Sequence, residues 1–325
     1  MTGKFSGPLF VMGVGRSGTK LIRNLLINHP KVYLTDEAGI LPYMIRNWQE
    51  ANFKNKKVFK KMYSDICGTS PMIVKQKKGQ LISADEWYGT CKTYDFEGIM
   101  EAFTRYYTGF DKDSEVVWGD KTPTYNKHVS TLKKFLPNAK FIHIVRDVRD
   151  VCLSARKAWK SNLFQYAQVW YNDIKRCLKH FKDLDSSDYI EILYEDLITE
   201  PAEVMKQCFS FIGLGFSSEY LQLKKSLEPT GHAKDQDVIV KGNFGYYKKE
   251  LSMEQIRRIE SLTWPVLENY GYEYSYSGPL KKLSKGRLCW YKLVYSYGRF
   301  VCFLRNYGIK NFPFIMKKIF AKLKR

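Results

Sequence analysis

Apolar and polar positions along this chain switch repeatedly between an unbroken or alternating pattern and a helical one. Leu9–Gly13 is a short apolar run ending in glycine, the pattern of a strand buried on both faces of a parallel sheet. Leu21, Leu25 and Leu26 then recur at helical spacing until His29-Pro30 stops the helix. Val32–Leu34 predicts a second strand, and the stretch from Ala38 to about Tyr63 is mostly helical. Residues 64–93 hold neither period and read as irregular. Asp95–Phe110 predicts a helix, Glu115–Trp118 a short strand, and Tyr125–Phe135 a helix ending at Pro137-Asn138. Lys140–Val145 is the clearest strand pattern, with Asp147 placed to cap the helix after it. Tyr189–Leu193 is a further strand, 201–212 a helix and Ser252–Asn269 an amphipathic helix. Glu228–Lys249, rich in Gly, Lys and polar residues, reads as a functional loop or lid. Strands alternating with helices predict an α/β fold whose parallel sheet is covered on both faces.

The first strand runs straight into Gly13-Val-Gly-Arg16-Ser17-Gly18-Thr19-Lys20 and then a helix. That is the context of a phosphate-binding loop, in which glycines let backbone N–H groups converge and the helix start adds partial positive charge. A purely structural strand-to-helix turn would not call for Arg16. A nucleoside triphosphate loop puts Lys on the phosphates and Ser or Thr on Mg²⁺. Here Thr19 occupies the lysine position and Lys20 the Ser/Thr position, so the pattern suits an anion held by side-chain cations without metal.

A second anion site follows Lys140–Val145. That strand delivers Arg146-Asp-Val-Arg149-Asp150 to its carboxyl end, where ligands bind open α/β sheets. Ser154 lies about two helical turns further on, so Arg146 and Ser154 can face one anion. Arg–Asp pairs that merely cap a helix account for Asp147 and Asp150 but not for Ser154.

With these residues in view the chain resembles the sulfotransferase family, over about residues 8–270. Arg16-Ser17-Gly18-Thr19 is similar to its 5′-phosphosulfate loop, and Arg146 with Ser154 to its 3′-phosphate signature. Lys20 departs from the second Thr of many members, and a basic residue there resembles some glycosaminoglycan O-sulfotransferases. Tyr194-Glu195-Asp196-Leu197 resembles a segment whose Tyr lies near the nucleotide, although a core tyrosine would read the same way. Lys241-Gly242 resembles a late loop that closes over the 3′-phosphate. The resemblance implies a P-loop-type sheet and the sulfuryl donor 3′-phosphoadenosine-5′-phosphosulfate (PAPS), with 3′-phosphoadenosine-5′-phosphate (PAP) as product. It also implies roles. Glu37, in a context similar to tyrosylprotein sulfotransferases, is the expected base, with Asp36 replacing the first acid of their pair. Lys121, in a KTPTY segment similar to glycosaminoglycan O-sulfotransferases, is expected to meet the leaving oxygen with Arg16 assisting. No counterpart of the histidine base of cytosolic small-molecule sulfotransferases stands out, and His128 is the next candidate. The expected acceptor is a hydroxyl, first of a carbohydrate or glycolipid and alternatively of a protein tyrosine. A P-loop nucleotide kinase and a catalytically silent nucleotide-binding protein are the rival functions.

Charge adds one feature. Of 53 Lys and Arg against 33 Asp and Glu, 13 cations and no acid fall in residues 281–325, so the remainder carries only about +7 of the net +20. The same segment holds ten aromatics and an apolar stripe through Phe312, Met316 and Leu323, a combination suited to an anionic membrane surface. Packing on the enzyme's own surface is the competing role, and nothing in the body of the chain asks for nucleic acid. The expected organisation is a sulfotransferase domain over 1–275 and a basic, aromatic extension over 276–325. Seven scattered cysteines without a CxxC pair read as reduced, packed thiols, and five scattered histidines suggest no metal site. No run of about 20 apolar residues is present. The expected location is cytoplasmic, with the tail offering a peripheral place on the inner membrane face.

Overall fold

A computed structural model describes residues 5–223, 237–287 and 289–291. Five strands, β1 (Leu9–Gly13), β2 (Val32–Asp36), β3 (Val117–Lys121), β4 (Lys140–Val145) and β5 (Tyr189–Leu193), form one parallel sheet in the order β2-β3-β1-β4-β5. Along the chain the first helices are α1 (Thr19–Leu26), α2 (Leu41–Trp48), α3 (Lys56–Cys67), α4 (Ser70–Lys77), α5 (Ala84–Thr90) and α6 (Phe96–Thr108). They are followed by α7 (Val129–Phe135), α8 (Val148–Trp159), α9 (Leu163–Phe181), α10 (Tyr194–Thr199), α11 (Pro201–Phe211), α12 (Tyr247–Glu250) and α13 (Met253–Asn269).

β1 takes the centre because every one of its side chains is apolar or absent, so both faces can be buried. Its alternate positions feed separate cores. Phe10 and Met12 join Phe141, Trp87 and Phe103 on the face covered by α2 to α7. Leu9 and Val11 join Ile22, Leu197 and Phe209 on the face covered by α1, α10 and α11. A third core gathers α8, α9, α12 and α13 around Trp170, Ile174, Ile259 and Leu262. From β1 the sheet grows to one side through β3 and to the other through β4, so the carboxyl end of β1 opens onto the crevice where ligands bind such sheets.

The α/β fold read from the sequence is the one observed, with differences in detail. The expected irregular stretch 64–93 contains α4 and α5, each with one buried anchor, Met72 and Trp87. A single anchor per helix leaves no period to read. The strand expected over 115–118 runs instead from Val117 to Lys121, its polar residues Asp120 and Lys121 being buried. The helix expected over 125–135 is a 3₁₀ turn, Pro123–Lys127, followed by α7, with the break at His128. Asp147 caps α8 by accepting from the Arg149 N–H, as expected. Residues 228–236 of the expected lid and 292–325 of the basic extension lie outside the described residues. Cys91, Cys152, Cys177 and Cys208 are buried free thiols.

Candidate active site

The loop after β1 turns tightly. Ser17 N–H donates to the Val14 carbonyl at 3.1 Å, and Arg16 and Gly18 take left-handed backbone angles, φ 73° and 96°. Gly18 is required twice over, since a Cβ there would also lie 2.4 Å from the Tyr194 ring. Arg16 has no such excuse. A non-glycine residue held in this region costs roughly 1–3 kcal/mol and persists where the surroundings fix it, as they do at functional loops. Its Nε donates to Ser154 Oγ at 3.0 Å, and its guanidinium lies 5.7 Å from the Trp159 ring centroid.

Arg146 completes the cluster from β4. It donates to the Asn243 carbonyl at 2.8 Å and to the Arg16 carbonyl at 3.5 Å, and stacks 4.1 Å above the centroid of Tyr194. Asn243 in turn donates to the Tyr194 hydroxyl at 2.8 Å. The 243–247 segment is held to α8 by Asp150, which accepts the N–H groups of Gly245 at 2.5 Å and Tyr247 at 3.0 Å. Burial pushes the Asp150 carboxyl above its ordinary range against the pull of Arg146. Two buried polar atoms of the cluster, Ser17 Oγ and Arg146 Nε, have no hydrogen-bond partner. Buried donors are normally satisfied. Oxyanions on the loop and beside Arg146 would satisfy them, so this residue set fits a ligand carrying more than one phosphate or sulfate group.

A second cluster forms where β3 ends beside β1. Val11 pairs with Lys121 in the sheet, and Gly13 lies two residues, about 6.6 Å, further toward the loop. Lys121 is fully buried, and its Nζ lies 2.5 Å from Asp36 Oδ1 and 2.9 Å from Glu37 Oε1, both on half-exposed side chains. A lone buried ammonium is expensive, and these two carboxylates offset that cost. Burial alone would raise Asp36, but Lys121, helped by Arg23 and Lys20, holds it below the usual carboxylate range. Glu37 has φ 56°, and its N–H donates to the Lys121 carbonyl at 2.7 Å.

Buried Asp120 fixes the geometry of both. It accepts from the hydroxyls of Thr35 at 2.6 Å and Thr122 at 2.7 Å, and from the N–H groups of Ala38 at 3.1 Å and Gly39 at 3.4 Å. It therefore clamps the chain on either side of Glu37 to the strand that carries Lys121.

Of the residues singled out in the sequence, Arg16, Ser154, Arg146 and Tyr194 meet in one cluster, and Glu37 and Lys121 in the other. Ser17 and Gly18 form the loop, and Thr19 opens α1. Lys20 acts at a distance through its charge on Asp36. Lys241 and Gly242 are exposed and abut the cluster through Asn243. His128 stands at the start of α7 with its pKa lowered by burial and neighbouring cations. Asn243, Asp120 and the Asp36–Lys121 contact escaped the sequence reading. Each stands next to a residue that was noticed, and that adjacency was the available signal. Trp159 carried none. Among the described residues no group of three or more His, Cys, Asp or Glu is arranged to hold a metal, and no helix is long and apolar enough to cross a membrane.

Comparison with known proteins bears on the family of the chain. An uncharacterized protein of Aquifex aeolicus is 27% identical over 277 residues, 80% of this chain but 32% of that protein. A Caenorhabditis briggsae protein named "Putative protein-tyrosine sulfotransferase" is 24% identical over 299 residues, 86% of this chain and 94% of that protein. This chain thus spans about a third of the first relative and nearly all of the second. Among solved structures, the sulfotransferase domain of the Synechococcus PCC 7002 olefin synthase superposes with a TM-score of 0.54 at 20% identity, covering 85% of this chain and 98% of that domain. The sulfotransferase family model matches residues 8–218, well over half of the chain, and the chain belongs to that family.

Proposed function

We propose that this protein transfers a sulfuryl group from PAPS to an acceptor hydroxyl by in-line displacement. The observation that carries the proposal is the joining of two anion anchors in one cluster: Arg16 bonds Ser154, and Arg146 reaches the Arg16 carbonyl. Residues 16–19 with Lys20 hold the 5′-phosphosulfate. Arg146 and Ser154, with Lys241 and Gly242 at the loop beside Asn243, hold the 3′-phosphate, and Tyr194 flanks the nucleotide.

Glu37 takes the acceptor proton as the acceptor oxygen bonds to sulfur. The bond between sulfur and the bridging phosphate oxygen breaks, and Lys121 and Arg16 neutralise the charge left on PAP. Asp36 helps to aim Lys121. The Asp36–Glu37 contacts to a buried lysine support a carboxylate base and a lysine in one place. Membership of the sulfotransferase family, and Thr19-Lys20 in inverted order, weigh against a nucleotide kinase.

Two acceptor classes have separate support. The Lys121-Thr-Pro-Thr-Tyr125 segment resembles glycan enzymes and favours a carbohydrate or glycolipid. The Caenorhabditis relative's name and the Asp36-Glu37 pair favour a protein tyrosine. Radiolabelled PAPS offered with glycan and tyrosyl-peptide acceptors separates them. Label transfer to neither, nor to any hydroxyl acceptor, would defeat the proposed reaction. The proposed organisation is a catalytic domain over 1–275 and an extension over 276–325 that reaches anionic membrane. The start of that extension is docked, with Lys281 N–H on the Ser261 carbonyl at 2.7 Å and Leu283 buried in the third core. A truncation that tests membrane association therefore belongs after Tyr291.

A further inference from the structure

Away from both clusters, a cavity of about 910 Å³ opens between α13, the start of α9, residues 275–287 and Tyr291. Arg257, Arg258, Lys281 and Arg287 line it, with Glu254 the one acid among its described lining residues. No carboxylate of the described residues lies within ion-pair distance of these four cations. The nearby buried acid is already committed. Glu260 accepts from Arg149 at 2.8 Å and from the N–H groups of Ser275 and Tyr276 at 3.0 and 3.1 Å. Those same bonds pin the 275–276 wall to α13, and Lys281 N–H on Ser261 and Leu283 N–H on Gln168 Oε1 pin the next stretch. The wall is thus fixed as far as Leu283, and four like charges line the one cavity.

We propose that this cavity binds a compact phosphate- or sulfate-ester anion, separately from the sulfuryl-transfer site. Like charges in one concavity repel, and an oxyanion bridging them both removes the repulsion and forms charge-assisted hydrogen bonds. Of the wall serines, Ser261 and Ser275 already donate to the Arg258 carbonyl and Glu260, whereas the Ser252 hydroxyl accepts from Gln255 N–H and keeps its own proton to donate, and Lys281 lies over the Tyr276 ring at 5.8 Å from its centroid. The concave shape favours a compact ligand over an extended nucleic-acid backbone. The anion is either a free ester or the headgroup of a lipid, and the chemistry is the same for both.

The test uses the full chain with PAP in excess to fill the nucleotide site. Inorganic pyrophosphate is titrated calorimetrically, and vesicles of phosphatidylcholine with or without phosphatidic acid are sedimented. Binding of at least one probe should fall about tenfold or more in R257Q/R258Q or K281Q/R287Q, the loss of roughly 1.4 kcal/mol expected when two charge-assisted contacts go. It should be unchanged in K57Q/K61Q, which removes the same charge from exposed positions of α3. Pyrophosphate sensitivity points to a free ester, and sensitivity of vesicles alone to a headgroup. No binding of either probe by the wild type overturns the proposal, as does binding that both cavity variants leave unchanged or that K57Q/K61Q reduces equally. PAP affinity within about twofold of wild type verifies that each variant is folded.

Discussion

Replacing Asp120 by Asn changes one atom of a buried carboxylate and tests how the Glu37 loop is held. The Thr35 hydroxyl and Ala38 N–H both donate to Oδ1, so the amide oxygen can keep them, though without the charge. The new NH₂ group then faces Gly39 N–H and the Thr122 hydroxyl. The hydroxyl can turn and accept, whereas the Gly39 N–H cannot. An unsatisfied buried donor costs about 1–3 kcal/mol, and hydrogen bonds to charged groups contribute about 1.5–3 kcal/mol against about 1 for neutral ones. The sum is a destabilisation of about 2–4 kcal/mol, readable from urea unfolding of D120N against wild type. Because Asp120 clamps Ala38 and Gly39 to the strand bearing Lys121, the variant should also lose turnover. A displacement of about 1 Å at a reacting group can cost about 100-fold. PAP affinity should hold within about twofold, since Asp120 makes no contact with the Arg16–Arg146 cluster. A D120N protein within about 0.5 kcal/mol of wild type and fully active would refute the clamp.

Three further outcomes are expected. Glu37→Gln should cut turnover by about 10²–10⁴-fold with PAP binding nearly unchanged, because the amide keeps the shape but takes no proton; an unaffected rate would send the search for a base to His128. Lys121→Ala should also lower turnover, read in single-turnover transfer from PAPS, and it should destabilise the fold by leaving Asp36 and Glu37 facing each other without their cation. The third concerns pH. Burial opposes a charge on His143, but the Cys177 sulfur and the Glu191 carboxylate at 2.8 Å favour it more strongly and push it up to about 10. A raised histidine contributes stability that is fully present below its unfolded value of about 6.5 and is lost as pH rises through the folded one. Thermal melts should therefore weaken between about pH 7 and 10, and Glu191→Gln should flatten that slope; an unchanged slope in the variant would contradict the pair.

The Gly13–Lys20 loop and the Arg146–Ser154 segment were legible as candidates because their patterns are local. A glycine loop between an apolar strand and a helix announces itself, and Arg146 and Ser154 sit at fixed spacing on one helix entrance. The second cluster was legible only in its members. Nothing in the string Trp118-Gly-Asp-Lys121 says that the lysine is wholly buried, because burial is decided by β1 and β2 on either side. Asp120 was hidden for the same reason: its four donors come from residues 35, 38, 39 and 122. Asn243 lies 97 residues beyond Arg146, in a stretch with little regular structure, and only the closed turn at 243–247 brings its carbonyl to the guanidinium. α4 and α5 were missed because one buried anchor each gives a helix no readable stripe.

The central claim is that one nucleotide spans the Arg16 loop and Arg146. Calorimetry with PAP and with 5′-AMP, without metal, tests it most directly, since the two ligands differ only in the 3′-phosphate. PAP should bind at least tenfold more tightly than 5′-AMP to the wild type, and Arg146→Ala should bring the two together while leaving 5′-AMP affinity within about twofold. Equal affinities in the wild type, or a PAP preference that survives Arg146→Ala, would contradict the account.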